Sequence, residues 1–345
     1  MVPALAVAEE LRAEGAEVAF IGAGRAEAEL IPAAGFALHR IAVEGLSRSN
    51  PLRAVRALAL AVAAVPRART LLKQLAPDAV MGAGGYVAGP VGVAALTLGI
   101  PLVLTEADSR LGLTNRILAR WAARVCLAFP PGKQGISGLG RGSARYRVTG
   151  RPVPLSTTDR ATARVRLGIS PEDFCLLVFG GSLGARSLNL AAAEAFAGAA
   201  FHVLHVCGRR DYPWMSEREL GENYDLREYM SPADFGEALA AADLVVARAG
   251  GSVFEIAAHG LPAILVPYPH ASGDHQSANA RWMTEAGAAT TIPDRELSGP
   301  DLARVLAALI ADPRRMAQMR AASAGLARPA AAADVAHELL LAGAP

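Results

Sequence analysis

Aromatic residues make up only 5% of this chain of 345 residues, and cysteine is rarer still, with three in all. Cys126, Cys175 and Cys207 lie far apart, and none belongs to a CxxC pair. That spacing argues against a disulfide framework or a cysteine metal site and predicts buried, reduced thiols. Long apolar runs are missing too: the longest, PVGVAALTLGIPLVL, is too short and too broken by glycine and proline to span a bilayer. The glycine-rich turns contain neither the dinucleotide pattern GxGxxG nor a P-loop ending in Gly-Lys-Ser/Thr, which disfavours a nicotinamide enzyme and a P-loop NTPase. No metal-ligand set is assigned.

What is present points to helix-covered parallel sheets. Hydrophobic content is 52%, so with few aromatics the core must be built from Ala, Val and Leu. The length fits two domains of ordinary size. Net charge is +2 but uneven: residues 1–150 hold 17 basic and 10 acidic residues (+7), leaving 17 basic and 22 acidic residues (−5). A basic first half suits an anionic surface or substrate; an Arg-rich protein from a GC-rich genome fits the charge alone equally well.

Taken in order, the chain opens with a helix over residues 1–15 and a buried strand in AEVAFIGAG. A long Arg-studded helix covers residues 52–76, and Pro66 should kink or break it. Its apolar residues, with Arg48, Arg53, Arg56, Arg67, Arg69 and Lys73 around them, suit either packing on a sheet or contact with anionic lipid. Strand, Gly-rich turn, helix, strand, loop, helix and strand then follow, with Gly84, Gly85 and Gly89 at the turn. Thr105 to Asp108 lie at the carboxyl end of a strand, where open α/β sheets bind ligands. Glu106 and Asp108 there can serve as a general base or hold a polar substrate, or be solvated loop carboxylates. Residues 146–154 read as an interdomain linker.

The second half repeats the theme. FCLLVFGGSLGARSLN is strand, turn and helix, with Gly180, Gly181, Ser182 and Gly184 placed for an anion at a helix N-terminus. Residues 247–280 carry the densest signal. A Gly-rich turn leads into a short helix with Glu255, then a strand, AILVPYP, then a loop crowding His270, Asp274, His275, Gln276 and Asn279. Phosphate at the turn, ribose at Glu255 and sugar at the polar loop make a nucleotide-sugar the expected ligand.

Four segments in this order resemble the MurG family of peptidoglycan N-acetylglucosaminyltransferases: PALAVAEEL; GAGGYVAGP with GIPLVLTEAD and GLTNRILAR; GGSLGARSLN; and RAGGSVFEIAAHGLPAILVPYPH with DHQSANA. The resemblance implies a GT-B fold, two Rossmann-like doubly wound parallel-sheet α/β domains facing each other across a cleft. It places an acceptor and membrane-side domain at residues 1–152 and a UDP-sugar domain at 153–325. A last helix at 326–345 packs back toward the first domain. The implied reaction is inverting transfer of N-acetylglucosamine from UDP-GlcNAc to the C4 hydroxyl of the muramoyl sugar of undecaprenyl-linked lipid I, forming lipid II. UDP-GlcNAc is a substrate, and no cofactor is implied. The site would be peripheral, at the cytoplasmic face of a bacterial plasma membrane, with an anionic membrane surface and other cell-wall or division proteins as partners and no nucleic acid.

By the same resemblance Ser182 contacts the diphosphate, Met230 reads the uracil through its backbone, and Gly250, Gly251, Ser252, Val253 and Phe254 form the turn at the α-phosphate. Glu255 holds the ribose, and His275, Gln276 and Asn279 address the sugar. Gly84, Gly85, Tyr86, Asp108 and Asn115 belong to the acceptor side, with Asp108 the expected base and Glu106 second. Arg53, Arg56, Leu58, Leu60, Arg67 and Arg69 face the membrane.

The chain also departs from the family. A strand and a Gly-rich loop ending in Gly-His usually precede the first motif. Thr105, Ala107 and Asp108 replace His, Gln and Asn, Leu183 replaces Gln, and Pro154 replaces Arg. The expectation is a start placed too late, or else a deletion, so that an upstream segment ending in Gly-Gly-His restores folding and activity. Other readings stay open: a GT-B enzyme with a different lipid or small-molecule acceptor, or an inactive nucleotide-sugar binder.

Overall fold

The structure, a computed structural model, describes residues 2–24, 27–43, 51–109, 111–130, 144–154, 158–181 and 183–344, without the side chains of residues 51–54 and 272. The chain divides into two compact units. Unit 1 comprises residues 1–153 and 328–345, and unit 2 residues 154–327.

Unit 2 alternates helix and strand: α6 (Arg160–Arg166), β7 (Cys175–Phe179), α7 (Arg186–Phe196), β8 (His202–Val206), α8 (Tyr212–Met215), β9 (Tyr224–Arg227), α9 (Pro232–Ala241) and β10 (Leu244–Ala247). α10 (Val253–Ala258), β11 (Ala263–Leu265), α11 (His275–Glu285), β12 (Ala289–Thr291), α12 (Gly299–Ile310) and α13 (Pro313–Leu326) complete it. All strand pairs are parallel, in the order β12-β11-β10-β7-β8-β9. β7 and β10 are buried at every position, as expected of central strands covered on both faces. On one face α12 packs against α7, placing Leu302, Leu306 and Leu309 in the core at helical spacing. Side-chain caps start several helices, with Asp159, Ser231, Ser298 and Asp312 accepting first-turn N–H groups. α7 begins at Ala185 with no side-chain cap.

Unit 1 contains α1 (Val2–Ala13), β1 (Ala19–Gly22), α2 (Glu27–Ala33), β2 (Ala37–Arg40), α3 (Pro51–Leu75), β3 (Val80–Gly82), α4 (Ala88–Leu98), β4 (Leu102–Glu106), α5 (Leu113–Leu118), β5 (Arg124–Leu127) and β6 (Tyr146–Val148). α14 (Ala331–Gly343) packs on α1, β4 and β5, and Glu338 accepts from Arg124 at 2.8 Å and Arg147 at 3.2 Å. The strands form two parallel sheets, β1-β2 and β3-β4-β5-β6.

Three sequence expectations change. Residues 146–148, read as part of the interdomain linker, form the edge strand β6, paired with β5 inside unit 1. α3 runs unbroken through Pro66, because that residue lies on the exposed side, where water can serve the Val62 carbonyl left without its N–H partner. β1, expected to be buried, is exposed at Ala19 and half-buried at Phe20 and Ile21, because one of its edges is unpaired among the described residues.

Candidate functional site

In unit 2 the chain leaves β7 toward β8 and β9 on one side, while β10 leads to β11 and β12 on the other. The carboxyl ends of the adjacent strands β7 and β10 therefore form the topological switch point, where open parallel sheets leave a crevice for ligands. Both glycine-rich turns fall there: residues 180–184 follow β7, and residues 248–252 follow β10.

The first turn delivers the N-terminus of α7, whose uncapped N–H groups carry the positive end of the helix dipole. Gly184 must be glycine: its φ is +76°, and an added Cβ would stand 2.0 Å from the Cys207 carbonyl oxygen. Ser182, expected at the diphosphate, lies outside the described residues.

At the second turn, α11 brings two of the expected residues to the backbone. Asn279, almost wholly buried, donates through Nδ2 to the Ala249 carbonyl at 3.0 Å and the Gly250 carbonyl at 3.4 Å. Its Oδ1 has no protein partner among the described residues. The Gln276 amide lies beside Gly250, and its Oε1 accepts the Tyr268 N–H at 2.8 Å. Glu255 is half-buried on the first turn of α10, between buried Phe254 and Ile256, with Val253 also in the core. Phe254 packs on Trp282 of α11 at 5.0 Å between ring centroids. His275 opens α11, and Gly251 and Ser252 complete the turn before α10. Met230 is buried at the carboxyl side of β9, one residue before Ser231 caps α9.

Sequence reasoning passed over Arg248. This nearly buried guanidinium pairs with Asp294 at 2.6 Å, donates to Ser187 Oγ at 2.8 Å and to the Val266 carbonyl at 3.1 Å, and lies over the Tyr268 ring. It joins the second turn to α7 through Ser187. The available signal was an arginine directly after an apolar strand, since a charge placed there needs several partners.

In unit 1 the turn after β3 carries Gly84 and Gly85 at φ +78° and +75°, followed by exposed Tyr86. At the end of β4, Glu106 is buried and accepts three hydrogen bonds: from Gly112 N at 2.7 Å, Asn115 Nδ2 at 2.9 Å and Asp108 N at 3.2 Å. Burial raises its pKa above the usual carboxylate range despite these donors. Asn115 also donates to the Thr105 carbonyl at 2.9 Å, so a closed polar knot shapes the 105–115 loop and presents Asp108 at its exposed rim. Among the described residues no cluster of three His, Cys, Asp or Glu could hold a metal ion.

On α3, Val55, Leu58 and Val62 share an exposed face and are 59–67% accessible, and Arg56 and Arg67 are exposed beside them. Leu60 is half-buried, and Arg69 turns onto α4 to donate to the Thr97 carbonyl at 3.2 Å. The Arg53 side chain lies outside the described residues. No described helix is long and apolar enough to cross a membrane.

A Rossmann-ordered sheet with glycine turns at its switch point, joined to a second parallel α/β unit, defines a two-domain enzyme fold of the GT-B glycosyltransferase class. The glycosyltransferase family 28 N-terminal domain matches residues 1–127, and the family 28 C-terminal domain matches residues 175–338. The chain belongs to glycosyltransferase family 28. A Rubrobacter xylanophilus protein named UDP-N-acetylglucosamine--N-acetylmuramyl-(pentapeptide) pyrophosphoryl-undecaprenol N-acetylglucosamine transferase is 42% identical over 342 residues, 98% of this chain and 98% of its own. The Moorella thermoacetica protein of that name is 40% identical, covering 95% of this chain and 92% of its own. Among solved structures, Acinetobacter baumannii MurG matches with a TM-score of 0.75 at 28% identity, over 99% of this chain and 95% of that one. A kitacinnamycin glycosyltransferase, at TM-score 0.69 and 18% identity, shares the fold alone.

Proposed function

We propose that this enzyme transfers N-acetylglucosamine from UDP-N-acetylglucosamine to the C4 hydroxyl of the muramoyl sugar on an undecaprenyl diphosphate acceptor, with inversion. The observation that carries this reading is the pair of glycine turns at the switch point of unit 2, with Glu255, Gln276 and Asn279 on the elements that follow the second turn. The N-terminus of α7 holds the diphosphate and stabilises its charge as UDP departs. Glu255 accepts the two ribose hydroxyls, the Met230 backbone reads the base, and Gln276 and His275 address the sugar.

The acceptor reading rests on unit 1. Asp108 takes the proton of the attacking hydroxyl while the new bond to the anomeric carbon forms. The bond from that carbon to the diphosphate oxygen breaks, and UDP leaves with the electron pair. Glu106 and Asn115 hold the loop that presents Asp108, because the Glu106 oxygens already accept three hydrogen bonds. Gly84, Gly85 and Tyr86 line the acceptor side. The exposed face of α3 suits a peripheral position on an anionic membrane, where the lipid acceptor resides. Leu113, Ile117 and Trp121, at and just beyond α5, are exposed apolar side chains of the same unit.

Calorimetry with UDP-N-acetylglucosamine tests the donor half. Replacing Glu255 by Ala removes two charge-assisted hydrogen bonds and should weaken binding about a hundredfold. Unchanged affinity would remove Glu255 from the ribose site.

A further inference from the structure

Beneath the first donor turn lies a buried polar chain that the proposed reaction does not use. Asn189 on α7 and His205 on β8 are fully buried, and so is Asp211 at the start of α8. Tyr224, at the start of β9, is nearly so. Asn189 Nδ2 donates to the Cys207 carbonyl at 2.8 Å and to Asp211 Oδ2 at 2.9 Å. Both amide hydrogens are thereby placed, and Asn189 Oδ1 faces His205 Nε2 at 3.1 Å. Nε2 must therefore carry the imidazole proton, and Nδ1 accepts the Tyr224 hydroxyl at 2.7 Å. Burial pushes the His205 pKa down to about 3, so the ring stays neutral and this tautomer persists. The proton direction is fixed from Tyr224 through His205 and Asn189 to Asp211, which also accepts from Arg210.

The chain ends at the donor turn. The Cys207 carbonyl pinned by Asn189 abuts Gly184, and Gly208 is equally close: a Cβ there would stand 2.2 Å from Gly184 N. Gly208 has φ +86°, which leaves backbone packed on backbone with no side chain to absorb a shift.

We propose that Tyr224, His205 and Asn189 are positioning residues of the donor site, fixing the Cys207 carbonyl against Gly184 and so aiming the N–H groups at the start of α7 at the diphosphate. This rests on the donor reading of that turn. None of the three touches substrate; they act through backbone geometry, which matters because a preorganised turn binds an anion without rearranging.

The test compares His205→Leu, His205→Gln and Tyr224→Phe in the full chain. Gln keeps an N–H where Nε2 stands and so restores the bond to Asn189. His205→Leu should raise the KM for UDP-N-acetylglucosamine about tenfold, as expected for one uncompensated buried hydrogen bond, and leave the acceptor KM unchanged. His205→Gln should recover most of that loss. Tyr224→Phe should raise the donor KM less than His205→Leu does, and it tests the chain if the Leu variant does not fold. Imidazole nitrogen shifts should report one neutral Nε2–H tautomer down to pH 4. A donor KM unchanged in folded His205→Leu or Tyr224→Phe, or donor and acceptor KM rising together, would overturn the proposal. Calorimetry on the unsubstituted protein separates the two readings: if it does not bind UDP-N-acetylglucosamine, the donor assignment itself fails.

Discussion

Both units are built on parallel α/β sheets, and they differ in how the wings of the sheet are joined. In unit 2, β7 pairs with both β8 and β10 and joins the two wings into one sheet. In unit 1 the wings are β1-β2 and β3-β4-β5-β6, and no ladder joins β1 to β3 among the described residues. A cavity of about 820 Å³ lies there, lined along one side by Ala19, Phe20 and Ile21 and along the other by Val80, Met81 and Gly82. Where a strand joins the wings the sheet is continuous; in unit 1, among the described residues, β1 and β3 each carry one edge without a ladder. The proposed donor turns of unit 2 follow strands of that continuous sheet. Unit 1 organises its candidate base by a side-chain knot around Glu106.

The sharpest test of that division of labour is Asp108→Ala. Loss of a general base should lower kcat by about 10²–10⁴, while calorimetric affinity for UDP-N-acetylglucosamine stays as it was. A weakened donor affinity would break the assignment of Asp108 to the acceptor side. The next largest effect concerns the two edges. Residues 174–184, which form β7 and its turn, can be grafted ahead of Val2 as a probe strand. If the space between β1 and β3 accepts a parallel strand, Tm should rise by several degrees. Amides 19–22 and 80–82 should then gain protection from hydrogen exchange; unchanged exchange would mean that the edges do not take a strand. A smaller effect is expected on α3. Leu58→Asp with Val62→Asp should weaken binding to anionic vesicles about tenfold, with turnover of a short-chain soluble acceptor unaltered. Equal binding would take the apolar face of α3 out of membrane contact.

Much of the fold was legible in the sequence, because the glycine-rich turns after apolar strands leave few alternatives. GGSLG and RAGG follow strands so uniformly apolar that a buried parallel sheet is hard to avoid. The loop after β4, proposed for the acceptor side, was legible as residue types but not as geometry. Glu106 and Asp108 are two residues apart, and only the fold shows one carboxylate buried under three donors and the other at the rim. Pro66 misled because helix breaking depends on which side of the helix the missing N–H falls. The Tyr224–His205–Asn189–Asp211 chain was invisible for a simpler reason: its members are spread over 36 positions on α7, β8, β9 and the start of α8, and meet only in the fold.

The smallest expected effect separates the units by pH. His205 in unit 2 and Glu106 in unit 1 are both buried, and their shifts have opposite consequences. The folded-state pKa of His205 is depressed from 6.5 to about 3, so below pH 6.5 the unfolded chain takes a proton that the folded chain refuses. Its contribution is complete above pH 6.5 and is lost progressively as pH falls toward 3. Glu106 is raised from 4.5, so its folded form holds a proton more tightly than the unfolded chain does. Its contribution is greatest below pH 4.5 and is lost as pH rises through the folded value. Mild acid should therefore weaken the surroundings of His205 while leaving the Glu106 site its full contribution. His205→Gln removes the titration, so the fall in Tm between pH 7 and 5.5 should be smaller than in the unsubstituted protein by about 2–4 °C. Exchange should show the difference confined to α7, β8 and β9. An equal fall in both proteins would mean that some other group sets the acid limb, and the contrast between the two buried residues would lose its energetic meaning.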